Sequence, residues 1–504
     1  MNRYVSIIIT VFIIALMWNT SCTHKVQIIP EPDTSNFPAA VGKIFTAKCA
    51  ITGCHNAASY MNAAQLRLDS WDHLFNGYIY GSAVIPYASQ YSPLMYYINT
   101  LESNGLVSVP RMPLSTTSNP MAALTQAEYL TIKNWIDAGA PDANGRIAFS
   151  DNPTTRQKIY IAHSSACNQV AVVDAKTKLI MRYIPVGDAK NYAAHDIEAS
   201  DDGRNVYVPF YQGSWVQKIN TDSDKVVGTA NVGSVTSGSN GQWSIVIVSP
   251  DNSQILATGF QANGYLEAVN TNDMSLIPSK SVTSSSIFAY PHGVAANATF
   301  DTFFASLQNG NIINKYWFTS GRPHFKQISI DNKPITYSSI PGSTPDPHQI
   351  EMSPDYTRYF VSCQNTNEIR VMDAKTDTLI AAIPVGKFPQ EMTICESKNL
   401  LYVACMQDNN NTNPGCIGSI YIININTLHI DKILYGDFNQ PHDMAVDEQD
   451  GLLYVVSSNK GGTAHHTSTC GTPGWYSVFD LNTYVPDPRR FEVLENSYTI
   501  NARF

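Results

Sequence analysis

Two stretches far apart in the chain, "KIYIAHSSACNQVAVVDAKTKLIMRYIPVG" (158–187) and "RYFVSCQNTNEIRVMDAKTDTLIAAIPVG" (358–386), say nearly the same thing twice. Each opens with alternating apolar and polar residues, runs through a second strand that ends in Asp-Ala-Lys-Thr, and closes a third on Pro-Val-Gly. A further strand then ends in a turn, as in "HDIEASDDG" (195–203), "SIVIVSPDN" (244–252) and "HQIEMSPDY" (348–356). Alternation with Asp/Asn-Gly type turns is the signature of strands joined as hairpins. A period of about fifty residues with four strands per unit is that of a propeller blade.

With the strands of a unit named A to D from the inside outward, B strands are expected to begin near Lys158, Asn205, Gln254, Asp301, Arg358, Asn399 and Gly451, which makes seven units. A strands are expected near His195, Ser244, His292, His348, Gln390 and His442, so the first unit lacks one. The terminal segment "NSYTINARF" (496–504) follows the last D strand, "RRFEVLENS", and alternates like an A strand. Pairing it with the strand at Lys158 closes the ring and removes the open edges that otherwise invite aggregation. "LLYVACMQD", "IRVMDAKTDTLIAAIPVG" and "IEMSPD" make residues 158–504 resemble the YVTN family of seven-bladed propellers. The resemblance implies the fold more than any function, because propellers host unrelated activities.

The register of the A strands puts His195, Ser244, His292, His348, Gln390 and His442 at one phase, with Tyr498 in the closing strand. Three of the histidines follow proline, in "YPHGVA", "DPHQIE" and "QPHDMA". A shared phase on channel-lining strands places these imidazoles in one ring at the mouth. Antiparallel pairing adds the B-strand ends to the same face, including the long loops that carry Cys416, His465, His466 and Cys470, and, through ring closure, His163 and Cys167. Three readings follow: a copper or zinc ion held by His195, His292, His348 and His442; a polar mouth in which each histidine bonds a neighbouring blade's backbone; or a small-molecule site. A Cys395–Cys405 bridge is excluded by hairpin register, whereas Cys416–Cys470 or Cys470–Cys167 suits an oxidising compartment.

The first 157 residues read differently. "MNRYVSIIITVFIIALMWNTSC" has a basic start, a short apolar run and small residues before Cys22, the form of an export signal. It resembles a bacterial lipoprotein signal (1–22), which implies acylation of Cys22, attachment to the outer membrane, and a periplasmic or cell-surface location. Residues 23–40 read as a tether. "KCAITGCHN" (48–56) then sets two cysteines and a histidine together, as covalent haem attachment requires, although four residues separate the thiols. A disulfide between them is the alternative. Helical spacing in "AAVGKIFTAKC" and "LTQAEYLTIKNWIDAGA", the latter with Thr125 as N-cap, predicts helices.

With "LRLDSWDHLFNG", "AVIPYASQYSPLMYYI", "RMP" and "LTQAEYLTIKNWIDAGAP" in order, residues 41–142 resemble a small cytochrome c domain of exported planctomycete and Bacteroidetes proteins. That resemblance implies haem c bound through Cys49 and Cys54, with His55 as proximal and Met112 as distal ligand. The expectation is therefore multi-domain: a small all-α cytochrome c-like domain, a linker (143–157) and an all-β seven-bladed propeller closed by the C-terminal strand. The net charge of −9 among 504 residues argues against nucleic acid as a partner. No phosphate loop, nucleophile elbow or metalloprotease helix is present in the sequence. The functional expectation is electron transfer to a soluble electron carrier, coupled to binding or oxidation of a small-molecule substrate at the His-lined face. The alternative is a non-catalytic binding propeller with a haem relay or sensor.

Overall fold

A computed structural model describes residues 35–115, 120–233, 242–337, 344–457 and 474–503, with the side chains of 283–286 excepted. From Lys158 onward the chain forms seven antiparallel sheets arranged as a propeller. The ring is closed by Ser497–Arg503, which pairs with Lys158–His163 in the register Ile159↔Ala502 and Ile161↔Ile500. Blade 1 therefore takes its innermost strand from the end of the chain and the other three from Lys158–His163, Gln169–Asp174 and Leu179–Pro185. The B strands begin within one residue of the expected positions, at Lys158, Asn205, Gln254, Thr302, Arg358, Leu400 and Leu452.

Alternation alone would leave each sheet with one apolar face, but here both faces are covered because every blade packs between two others. Seven buried clusters occupy the seven seams. One joins Tyr160, Val170 and Val172 of blade 1 to Val206, Val208 and Phe210 of blade 2. Another joins Tyr454, Val456 and Tyr476 of blade 7 to Ile159, Ile161 and Ile500 of blade 1.

Polar groups reinforce the seams at the repeated C–D turns. Lys158 Nζ of blade 1 donates to Thr221 O at 2.6 Å and to both carboxylate oxygens of Asp224 in blade 2 at 3.0 and 2.9 Å. Lys315 of blade 4 reaches Asp377 of blade 5 at 2.9 Å in the same way. Tyr454 Oη of blade 7 donates to Ala175 O in the Asp-Ala-Lys-Thr turn of blade 1 at 2.8 Å. A cation or hydroxyl of one blade thus grips the C–D turn of the next.

The expected separate all-α cytochrome c-like domain is not formed, and that part of the fold expectation is corrected. Between residues 35 and 157 the described chain has four helices, Ala39–Lys48, Trp71–Leu74, Pro93–Ile98 and Gln126–Asp137, joined by turns and irregular segments. Helical spacing holds over only two of them. In the stretch between, Gly77, Gly81 and five prolines (Pro86, Pro93, Pro110, Pro113 and Pro120) punctuate the chain, and Ser92 precedes the helix that has Pro93 in its first turn. The helix Gln126–Asp137 has a full capping box between Thr125 and Glu128, and Glu128 also pairs with Lys48 at 2.7 Å, tying the two longer helices together.

Nor is this segment independent of the propeller. It has a cluster of its own around Phe45, Trp71, Ile132 and Ile136, yet Ile85 and Ala88 belong to the cluster at the seam of blades 7 and 1. Ser82 Oγ donates to Ile180 O at 3.0 Å, and Tyr91 meets Tyr183 edge-on with ring centroids 5.1 Å apart. The amides of Arg490 and Glu492 donate to Ile79 O and Tyr80 O at 3.2 and 2.9 Å, so the outer edge of blade 7 is covered. The segment is a cap on the outer rim of the closure seam.

Candidate functional site at the propeller mouth

The strand starts and B-strand ends meet at one end of the channel around a cavity of about 360 Å³, lined by His195, Tyr211, Phe260, His292, Gln308, His348, Gln364, Gln390 and Tyr498. All four expected histidines are buried, at 0–4% exposure. His195 and His442 share one device. The Nδ1 of His195 lies 3.2 Å from Ser244 O, and that of His442 lies 3.1 Å from Tyr498 O. In each case the carbonyl belongs to the equivalent residue of the next blade, so the imidazole ties neighbouring A strands. His442 also stacks on Tyr498, with centroids 3.6 Å apart.

His292 and His348 are placed differently. Their rings lie 3.8 Å apart at an interplanar angle of 36°. Gly293 permits this approach, because a Cβ there would stand 2.5 Å from His348 O and 2.7 Å from the Cα of Gln349. The carboxylate of Glu391, one residue after Gln390 of blade 6, joins them, with Oε1 3.5 Å from His348 Nδ1. One ligand atom from each of His292, His348 and Glu391 lies within 4.8 Å of the other two, and all three residues are buried. The four histidines expected to form a metal set run in one series, with the His195–His292 and His348–His442 centroids 5.2 and 6.0 Å apart, and the tightest donor group joins His292 and His348 to a carboxylate, Glu391, that the sequence analysis passed over.

Below the mouth lies a second cavity of about 390 Å³ whose lining includes Asp196, Glu198, Glu351, Glu391 and Asp443. These acids sit one or three residues after the shared phase, in "HDIE", "HQIE", "QEMT" and "HDMA". Asp196 Oδ2 accepts from Val246 N at 2.9 Å and Asp443 Oδ2 from Ile500 N at 3.0 Å, so each acid reaches the amide two residues past the shared phase in the next blade. Burial raises all five. Asp196 is pushed up to about 6 and Asp443 to about 8. Glu351 is pushed up to about 8 by burial first and the charge of Asp443 second. Glu198 and Glu391 move in the same direction, with neighbouring carboxylates adding to the effect of burial.

In the cap, Cys49 is buried and Cys54 and His55 are half-buried; both thiols are free, so no bridge joins them. Burial, with Cys54 as the second cause, pushes the Cys49 thiol up to about 12. His55 N donates to Cys49 O at 3.1 Å, which folds the motif into a tight loop. His55 Nδ1 lies 3.2 Å from Leu66 O, and burial lowers its pKa. Met112 packs against the same apolar cluster that contains Cys49.

The remaining cysteines correct one expectation. Cys416 is free, with Sγ 3.4 Å from Asp437 Oδ1, so no Cys416–Cys470 bridge forms. Cys167 is disulfide-bonded, while Cys470, His465 and His466 lie outside the described residues, as does Cys22. Cys395 faces Leu400, and both Cys395 and Cys405 are free, as hairpin register requires.

No protein-family model and no curated protein matches this chain. Solved structures do. A functionally unknown protein from Desulfotomaculum acetoxidans is similar at a TM-score of 0.51 and 13% identity, over 68% of this chain and 98% of that one. Hydrazine synthase of Kuenenia stuttgartiensis gives 0.44 at 16% identity over 57% of this chain and 77% of that one. The beta-propeller domain of Myceliophteria thermophila Cps50 (Swd1) gives 0.45 at 12% identity over 61% and 89%. The chain is a seven-bladed propeller. At such identities the likeness concerns the fold alone.

Proposed function

We propose that this chain is an exported haem c protein in which the cap exchanges electrons with a soluble carrier while the propeller mouth binds or oxidises a small substrate. Cys49 and Cys54 would hold the haem covalently, and His55 and Met112 would ligate its iron. When bound, the haem would supply one-electron chemistry, and a thioether together with an imidazole as ligands would raise its potential. The observation that carries the reading is the state of His55 beside two free thiols. Its Nδ1 is engaged by the Leu66 carbonyl, and the Ala63 carbonyl also bonds the ring, so the imidazole is held by backbone groups as a metal-binding histidine commonly is. Burial favours the neutral ring that ligation needs.

The chain's own residues do the rest. The apolar cluster around Phe45 and Leu94 backs the cysteine motif and excludes water from one side of it. The hydrogen bonds of the cap to Ile180, Arg490 and Glu492 hold it on the propeller. The mouth cavity, about 360 Å³, falls in the range that takes small molecules. Acylation of Cys22 would attach the whole to the outer membrane. Production alongside haem-maturation machinery tests the reading: a c-type visible spectrum from the purified chain supports it, and a colourless chain overturns it.

A further inference from the structure

We propose that the neck of the propeller channel binds one divalent transition-metal cation through His292, His348 and Glu391, with a coordination position open to small donor ligands entering from the mouth. The proposal is independent of the haem. Two imidazoles and one carboxylate are the protein ligand set of open, substrate-accessible zinc sites, and the set also suits other first-row cations. The three donors come from consecutive blades 4, 5 and 6, so the ring geometry fixes their spacing without a dedicated loop.

Their position is that of a neck. His292 and His348 line the mouth cavity, whereas Glu391 lines the acidic cavity beneath it. Ligand atoms around zinc stand about 3.3 Å apart for bonds of about 2.05 Å. The three donors already lie within 4.8 Å of one another, so side-chain rotation closes the site without moving a strand.

A hydrogen-bonded histidine–glutamate pair accounts for the arrangement less well. The Nδ1 to Oε1 separation of 3.5 Å exceeds that of a charge-assisted bond, about 2.7–2.9 Å. Two imidazolium rings 3.8 Å apart would repel, so the stack requires at least one neutral ring. Glu391 also shares its surroundings with Asp196, Glu351 and Asp443. A buried carboxylate among carboxylates is costly as an anion, and a cation held beside it offsets that cost. Gly293 has its use here too, since a side chain at that position would force blade 4 away from blade 5 and separate the two donors.

The test uses the full chain, stripped with chelator and then titrated with Zn²⁺ by calorimetry and with Co²⁺ by visible absorption. Zinc and cobalt are counted separately from iron, so haem loading does not enter the result. One equivalent per chain is expected, with affinity lowered at least tenfold in Glu391→Gln and abolished in the His292→Ala/His348→Ala double variant. His442→Gln, which removes an imidazole already tied to Tyr498 O, should leave affinity within about twofold. Azide added to the Co²⁺-loaded protein should shift its absorption, reporting the open position. If a histidine variant fails to fold by circular dichroism, Glu391→Gln and the wild-type Co²⁺ and azide spectra decide. No stoichiometric binding by the wild type, or full binding by the folded double variant or by Glu391→Gln, overturns the proposal. Equal loss in His442→Gln also overturns this ligand set, in favour of the four-histidine ring.

Discussion

Asp224→Ala is the most informative single change in the fold. Asp224 and Lys158 are buried, with side chains at 1% exposure, and they belong to different blades. The carboxylate accepts from Lys158 Nζ at 3.0 and 2.9 Å and from Tyr160 Oη at 2.9 Å, and it forms an ion pair with Arg182, whose Nε lies 3.2 Å away. Burial lowers the pKa of Lys158, and Asp224 is the main opposing influence. Removing the carboxylate strands a buried ammonium whose only remaining acceptor among the bonds described is Thr221 O, which should cost about 3–5 kcal/mol.

Lys158→Met should cost less, about 1–3 kcal/mol, because Asp224 keeps Arg182 and Tyr160 as partners. The double variant should cost less than the sum of the singles by about 0.5–3 kcal/mol. Denaturant unfolding monitored by both tryptophan fluorescence and circular dichroism measures all three. An Asp224→Ala protein within 1 kcal/mol of wild type, or strictly additive singles, would refute the view that this pair locks blade 1 to blade 2.

Ile500→Ala, in the closing strand at 2% exposure, should cost about 2–5 kcal/mol, while Val227→Ala, at 57% exposure, should stay within about 0.5 kcal/mol. Comparable midpoints for the two would argue against closure by the terminal strand. The channel acids give a pH dependence of definite sign. The folded values of Asp443 and Glu351, about 8, lie above those of an unfolded chain, near 4, so the folded state holds more protons between those limits. Their contribution is full at or below about pH 4 and is lost as pH rises through 8. In chelator, the thermal midpoint should therefore be lower at pH 8.5 than at pH 5.5, and a midpoint that rises over this interval would contradict the burial of these acids.

The propeller was legible because a repeat is a statement about every blade at once. "DAKT" at 174 and 373 marked the turns that neighbouring blades grip, and the unpaired strand at 158 asked for a partner that only residues near 500 could supply. The phase of His195, His292, His348 and His442 was equally plain. The closer pairing of His292 and His348 with Glu391 was not, because it depends on how nearly adjacent A strands approach, which Gly293 permits. The acids one or three residues further on were in view in "HDIE" and "QEMT", but the convergence of several blades' carboxylates is a property of the closed ring.

The cap shows the opposite limit. Helical periodicity at 39–48 and 126–137 was read correctly, and extending that character over the loops between them produced an all-α domain that the chain does not form. The apolar residues Ile85 and Ala88 fall within that domain's expected bounds, yet they pack into the propeller seam. Cys416 illustrates a third limit. Loop equivalence placed it beside its neighbour's cysteine, but its thiol faces Asp437.

The central claim, proposed above, is that the cysteine motif of the cap would hold haem through two thioether bonds, and acid-acetone extraction of the denatured protein, made with haem-maturation machinery, tests it most directly. The pigment should stay with the polypeptide in wild type and be lost from the Cys49→Ser/Cys54→Ser variant. Pigment released into the solvent, or retained when both thiols are gone, would contradict the account.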